Sequence, residues 1–169
     1  MTLVVETGTI QDETTESYAS VADADAYVTK WHNDADWSAA STPDKERALR
    51  KGTRFVDSHQ FVGFTADPDQ SLDWPRSAVG SVDGRIIASN EIPIAVKRAA
   101  MEAALRVIKG ETLQPDHDGG TVRSESKQVG SLSTQTEFAT ARRAAKTFEA
   151  IDALLRPYLA RSQGLTRAI

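Results

Sequence analysis

The sequence predicts a mainly α protein: a small bundle of about four helices carrying an extended arm or β-hairpin and a C-terminal tail. Three observations predict it. Capped amphipathic segments with apolar residues at three- and four-residue spacing recur from residue 20 onward. Between about 59 and 92 that periodicity fails in a run punctuated by Gly63, Pro68, Pro75, Gly80, Gly84 and Pro93. From about 111 to 140 the chain turns polar and Gly/Ser/Thr-rich, with too few large apolar residues to build a core of its own.

The first helix is announced by "SYASVADADAYVTKW". Ser20 is an N-cap with Asp23 as its capping-box partner, and a helix over about 21–31 turns Val21, Ala24, Tyr27, Val28 and Trp31 inward. The polar "HNDADWSAASTPDKE" then reads as a loop anchored by Trp37. Thr42-Pro43-Asp44 supplies a capping hydroxyl, a proline in the first turn and an acid facing the helix dipole, so a second helix is expected over about 43–58. Its buried stripe is Ala48, Leu49, Gly52, Phe55 and Val56. Its outer face, with Lys45, Arg47, Arg50, Lys51 and Arg54, is a solvated basic surface or a docking face for an acidic partner or phosphate.

The run from 59 to 92 reads as an ordered connector, because Phe61, Phe64, Trp74, Ile86 and Ile87 are residues a disordered linker rarely contains, and "SVDGRII" reads as a tight turn at Asp83-Gly84 between short extended pieces. The core helix is "IPIAVKRAAMEAALRVIKG", opened by Pro93 and closed by Gly110 at C′. Ile94, Met101, Ala104, Leu105 and Ile108 form its central stripe, and Ala95, Ala99, Ala100 and Ala103 let a neighbouring helix come close. The arm, at about 119–138, has Val122, Val129, Leu132 and Phe138 as its few large apolar residues, too sparse for a helix but suited to extended structure that pairs. A last helix over about 140–156 buries Ala144, Phe148, Ile151, Leu154 and Leu155, and Pro157 ends it. One helical domain at 1–156, with the arm inserted, and a tail at 157–169 follow.

Composition removes several functions. The 169 residues include no cysteine, so disulfides, thiolate metal sites and a cysteine nucleophile are excluded. The N-terminus has no basic stretch followed by a long apolar one, and no run approaches the roughly 20 apolar residues of a membrane span, so an unexported protein without membrane contact is expected. Residues 1–42 hold eight acidic side chains against Lys30, whereas 141–169 hold six basic ones against Glu149 and Asp152. An acidic front and a basic end are two solvated faces of a monomer or surfaces that attract each other between copies.

No nucleotide-loop, hydrolase-elbow or zinc-helix motif is present, and His32, His59 and His117 stand in different segments. Asp116-His117-Asp118 reads as a solvated turn. Asp67, Asp69 and Asp73 lack the turn glycine and closing glutamate of a calcium loop, so neither metal nor cofactor is expected, and a metal-dependent hydrolase built on Asp67 or Asp69 is not. The stretch "DQSLDWPRSAVG" has three readings: catalytic loop, nucleic-acid contact or rigid corner. Trp74 and Arg76 could stack on and clamp a single strand. A net charge of −4 argues against that, which leaves Trp74 facing inward, Pro75 fixing the turn, and Arg76 bonding carbonyls or reaching a neighbouring subunit.

In order, "SYASVADADAYV", "ERALRKGTRFVDS", "DQSLDWPRSAV", "IPIAVKRAAMEAAL", "KQVGSLSTQ" and "FEAIDALLRPYL" resemble a family of small tailed-phage and prophage proteins. Its members are labelled DnaT-like single-strand DNA-binding proteins, and their size and pattern also resemble head–tail connector, or head-completion adaptor, proteins. The adaptor resemblance implies a non-enzymatic virion protein of the neck, present in the host cytoplasm before assembly, forming a dodecameric ring. Its partners would be other copies of itself, the portal protein and a stopper or tail-terminator protein, with double-stranded DNA passing through without sequence-specific binding. It implies subunit and arm contacts through Trp74, Arg76, Val122, Val129 and Leu132, and a portal-docking tail with Tyr158, Leu159, Arg161, Leu165, Arg167 and Ile169. Many relatives end in Arg-Gly, whereas this chain ends "TRAI". The alternative is a single-strand DNA-binding replication accessory protein.

Overall fold

A computed structural model describes residues 2–9, 13–82, 84–114, 124–129, 132–137 and 147–160. The fold is mainly α, with five α-helices and three two-stranded antiparallel ladders among the described residues. It divides into two compact units, one of Met1–Leu113 with Phe148–Ile169 and one of Gln114–Thr147.

In the first unit, α1 spans Val21–Trp31 and opens with the expected capping box: the Ser20 hydroxyl accepts from the Asp23 N–H, and the Asp23 carboxylate accepts from the Ser20 N–H. Ala24 and Val28 are buried, but Trp31 is 57% exposed, so the expected apolar face stops one turn early. The expected loop contains a short helix, α2 (Ala35–Ala39), because the Asp34 carboxylate caps it by accepting from the Trp37 N–H at 3.0 Å. Trp37 is buried as expected, with its indole N–H donating to Asp25 at 2.8 Å.

Helix α3 (Thr42–Asp57) is capped by Ser41 rather than Thr42, with Pro43 in its first turn. Every residue of its expected stripe is buried, joined by Thr53. Helix α4 (Ile94–Ile108) runs from the cap residue Pro93 to a Schellman turn, in which the Gly110 N–H donates to Val107 and the Glu111 N–H to Arg106, with Gly110 at φ +79°. The alanines of α4 do admit a close neighbour. A Cβ added to Gly52 of α3 would stand 2.5 Å from the Ala100 carbonyl oxygen and 2.9 Å from the Ala104 nitrogen, so the two backbones nearly touch there. Val96 is fully buried and Ile94 is 57% exposed, an exchange of the expected roles at the start of α4.

Helix α5 (Glu149–Leu155) begins after Phe148, which has non-helical dihedrals and stands at its cap position; the part of the expected helix over 140–146, with Ala144, lies outside the described residues. A 3₁₀ turn, Arg156–Tyr158, follows and contains Pro157. In the connector β1 (Phe64–Thr65) pairs with β2 (Arg76–Ser77), and β3 (Ser81–Val82) with β4 (Arg85–Ile86); of the expected Asp83-Gly84 turn, Gly84 has φ +79° and Asp83 lies outside the described residues.

Two apolar clusters lie along α4. One gathers Tyr18, Phe55, Phe61, Trp74, Val96, Phe148, Ile151 and Leu155. The other, toward the C-terminal end of α4, gathers Ala24, Val28, Trp37, Leu49, Met101 and Leu105. The second unit contains a hairpin of β5 (Ser124–Val129) and β6 (Leu132–Glu137), paired from Ser124↔Glu137 to Val129↔Leu132.

Candidate functional site

The "DQSLDWPRSAVG" stretch is a rigid corner built into the first cluster. Trp74 is fully buried, edge-on to Phe61 and to Tyr158 with ring centroids 5.7 Å away in each case, and the Trp74–Pro75 peptide bond is cis. Its indole nitrogen is buried without a hydrogen-bond partner. Gln70 ties the loop together: its amide nitrogen donates to the carbonyls of Leu72 and Pro75, and its amide oxygen accepts from the Asp67 N–H at 2.9 Å.

Arg76 is 8% exposed and its guanidinium is spent inside the chain. Nε donates to the Val62 carbonyl at 2.9 Å, Nη2 to Gly63 at 2.8 Å and Nη1 to Asp73 at 3.1 Å, while the group lies over the Phe61 ring. The expectation that Arg76 reaches a neighbouring subunit is thereby corrected: a planar fork that satisfies three carbonyls of its own loop is a structural rivet. Neither Trp74 nor Arg76 is available to stack on or clamp a single strand.

Beneath the corner lies a polar group that sequence reasoning missed. The Tyr18 hydroxyl accepts from the Trp74 N–H at 3.0 Å and donates to the Asp57 carboxylate. Burial pushes the Asp57 carboxyl up to about 7, assisted by the nearby Asp73 charge and opposed by the Tyr18 hydrogen bond. Burial likewise raises Asp73 and, more strongly, Tyr18. The one available signal was Asp57 at the inner end of an amphipathic helix, where a solvated carboxylate is the ordinary reading.

A second missed group sits on α4. Glu102 is 6% exposed and accepts from the Tyr27 hydroxyl at 2.8 Å, from His32 Nε2 at 2.7 Å and from Arg106 at 2.8 Å. Burial pushes its pKa up, but these three donors outweigh it and hold the carboxyl below its usual range.

The basic face expected on α3 is largely neutralised. Lys45 pairs with Asp25 at 2.9 Å, Arg47 with Asp44 at 2.7 Å and Arg50 with Glu16 at 2.9 Å, which leaves Lys51 and Arg54 exposed without a carboxylate partner among the described residues. A shallow cleft of about 450 Å³ lies beside Lys51, lined by Asp36, Asp44, Arg47, Val107 and Ile108. Among the described residues no group of three or more His, Asp or Glu side chains is arranged to hold a metal, and no helix is long and apolar enough to cross a membrane. Asp116-His117-Asp118 lies outside the described residues.

The expected tail divides. Tyr158 packs on Trp74, its carbonyl accepts from the Val62 N–H at 3.0 Å, and Leu159 bridges Phe61, so both belong to the folded body. Any tail therefore begins after Ala160, whose N–H donates to Gln60 at 2.8 Å, and not at 157. Arg161, Leu165, Arg167 and Ile169 lie outside the described residues, as does Val122 of the arm. Val129 and Leu132 are the last ladder pair of β5 and β6.

The family model described as "Putative DnaT-like ssDNA binding protein" matches residues 1–169. The chain belongs to this family. Nothing matches it among curated proteins or among solved structures. The family's description names single-stranded DNA, for which a protein offers an exposed aromatic face beside cations. The Trp-Pro-Arg corner of this member is not such a face. Among the described residues the exposed aromatic rings with the greatest accessibility are Trp31, with Lys30 Nζ 5.2 Å above it, and Phe64.

Proposed function

We propose that this chain is a structural head–tail adaptor of a tailed bacteriophage, a non-enzymatic ring subunit between the portal and the downstream neck or tail proteins. The observation that carries the reading is the β5–β6 hairpin. Its strands, "SESKQV" and "LSTQTE", are polar, and it is a six-pair ladder whose two outer edges have no partner strand among the described residues. A two-stranded ribbon is marginal alone, and a free edge presents a row of backbone donors and acceptors that suits strand addition to another chain. In a ring, that other chain is the adjacent copy or the next component of the neck. The inward commitment of Trp74 and Arg76 removes the stacking and clamping corner that the single-strand reading would use, and with it the subunit contacts that the adaptor resemblance implied through these two residues.

The acidic excess of residues 1–42 also fits a passage through which DNA moves without sticking, since like charge prevents long-lived phosphate contacts. In this reading the partners are other copies of the chain, the portal and a stopper or tail-terminator protein, and the protein resides in the virion neck after assembly from the host cytoplasm. The test replaces residues 124–137 with a flexible Gly/Ser linker of equal length. The body, whose core residues all come from the first unit, is expected to keep its helical circular dichroism, while assembly beneath the portal is lost. A hairpin-free chain that still enters complete particles would refute the reading.

A second reading, a single-strand DNA-binding replication accessory, is favoured by the family's description. It predicts micromolar or tighter binding of short oligonucleotides that weakens steeply with salt. Fluorescence anisotropy with labelled oligo-dT separates the two readings.

A further inference from the structure

Two exposed aromatic side chains stand on different clusters of the same body. Trp31, 57% exposed, ends α1 over the cluster at the C-terminal end of α4, with the Tyr27 ring 6.5 Å away. Phe64, 72% exposed, stands on β1, whose partner strand begins at Arg76 and so belongs to the Trp74 corner of the other cluster. Large exposed rings are the residues that most often anchor protein interfaces, where a few aromatic side chains carry most of the binding energy.

The charges over the first ring and near the second in sequence are opposite. Lys30 lies over Trp31 and has no carboxylate partner among the described residues. Phe64 is followed by Asp67 and Asp69, and neither carboxylate has a cationic partner among the described residues; Asp67 accepts only from the Asp69 N–H at 2.9 Å. One ring thus has a cation over it, and the other is followed three and five residues on by two carboxylates without a cationic partner among the described residues.

We propose that the Trp31–Lys30 patch of one copy docks on the Phe64–Asp67–Asp69 patch of the next, which is the head-to-tail contact of the ring. The inference rests on the adaptor reading and adds the contact itself. Two different, complementary patches close a dimer about a two-fold axis only when both contacts form between the same two copies; where each patch meets a different neighbour the contact is head-to-tail. They propagate from copy to copy and close when the rotation between copies permits. The opposite charges set register and speed encounter, and the rings supply the burial.

The test uses the full chain and two variants, Trp31→Ser and Phe64→Ser, both at exposed positions where each chain should keep its circular dichroism spectrum and melting temperature. Native mass spectrometry over a concentration series reads the assembly. Wild type is expected to form species larger than a dimer, and each variant alone to need at least about thirty-fold higher concentration for half-assembly. The deciding sample is an equimolar mixture of the two variants. Each then retains one sound patch complementary to the other's, so a one-to-one heterodimer that grows no further is expected. Wild-type assembly unchanged by either substitution would overturn the contact while leaving the ring reading intact. A wild type that stays monomeric at about millimolar concentration would overturn self-assembly and this contact together. Loss of oligo-dT binding by Trp31→Ser, with unchanged oligomeric state, would assign the Trp31 patch to nucleic acid and overturn the contact.

Discussion

Replacing Arg76 with methionine keeps an aliphatic stem against Phe61 and removes all three charge-assisted hydrogen bonds, to Val62, Gly63 and Asp73. A hydrogen bond from a charged donor contributes about 1.5–3 kcal/mol, and its loss costs most where the abandoned acceptor is shut off from water. The three residues that supply these carbonyls are half-buried, so water recovers part of the loss. The low end of the range, taken for three bonds and reduced for that recovery, gives about 3 kcal/mol. For a chain of this length that is a fall of about 6–12 °C in melting temperature, large against a typical stability of about 5–15 kcal/mol but short of unfolding the protein. Urea denaturation followed by circular dichroism measures it. Arg76→Lys should recover only part of the loss, because an ammonium cannot span three carbonyls fixed in a fork. A loss below about 1 kcal/mol, accompanied by failure to assemble, would refute the rivet and return Arg76 to the subunit interface.

Asp57 predicts a pH dependence. Its folded pKa, about 7, is raised above the ordinary carboxylate value, so the folded state holds the proton more tightly; the stability this contributes is full below about pH 4 and is lost as pH rises through about 7. The upper limit is about 4 kcal/mol, and Asp57→Asn should flatten the slope of denaturation midpoint against pH between 4 and 8; parallel curves for the two proteins would contradict the burial argument. Glu102→Ala leaves the half-buried Tyr27 and Arg106 and the exposed His32 without their common buried acceptor and should cost about 2 kcal/mol by thermal melting, with Glu102→Gln costing less. Gly52→Val forces apart the α3 and α4 backbones, and a loss of about 2 kcal/mol or more is expected despite valine's better helix propensity.

Much of the fold was legible because local chemistry and packing agree. The Ser20–Asp23 capping box and the Pro93 and Gly110 punctuation located α1 and α4 within a residue, and the α3 stripe was buried in full. What was illegible depended on tertiary partners. Helix α2 has five residues and no periodicity to read, and exists because Asp34 caps it while Trp37 is buried. Phe148 was expected inside a helix, but at the cap position its ring reaches Phe55, 5.4 Å away and edge-on. The basic stripe of α3 could not reveal that Asp25, Asp44 and Glu16 neutralise it, since two of those acids come from segments distant in sequence. At the corner, the inward Trp74 was readable from the motif, but the choice for Arg76 between bonding carbonyls and reaching a neighbouring subunit was not, because its acceptors Val62 and Gly63 lie 14 and 13 residues away. Nor was the Tyr18–Asp57 pair beneath it, because 39 residues separate the two.

Where the protein is found decides between an adaptor and a replication accessory. Under the adaptor proposal, a cryo-EM reconstruction of the neck of tailed particles assembled with this protein is predicted to show it as a closed ring directly beneath the portal, with each 124–137 hairpin pairing along an edge with a neighbouring chain. Complete particles whose neck contains no copy of this chain, together with salt-sensitive binding of the free protein to single-stranded DNA, would contradict it.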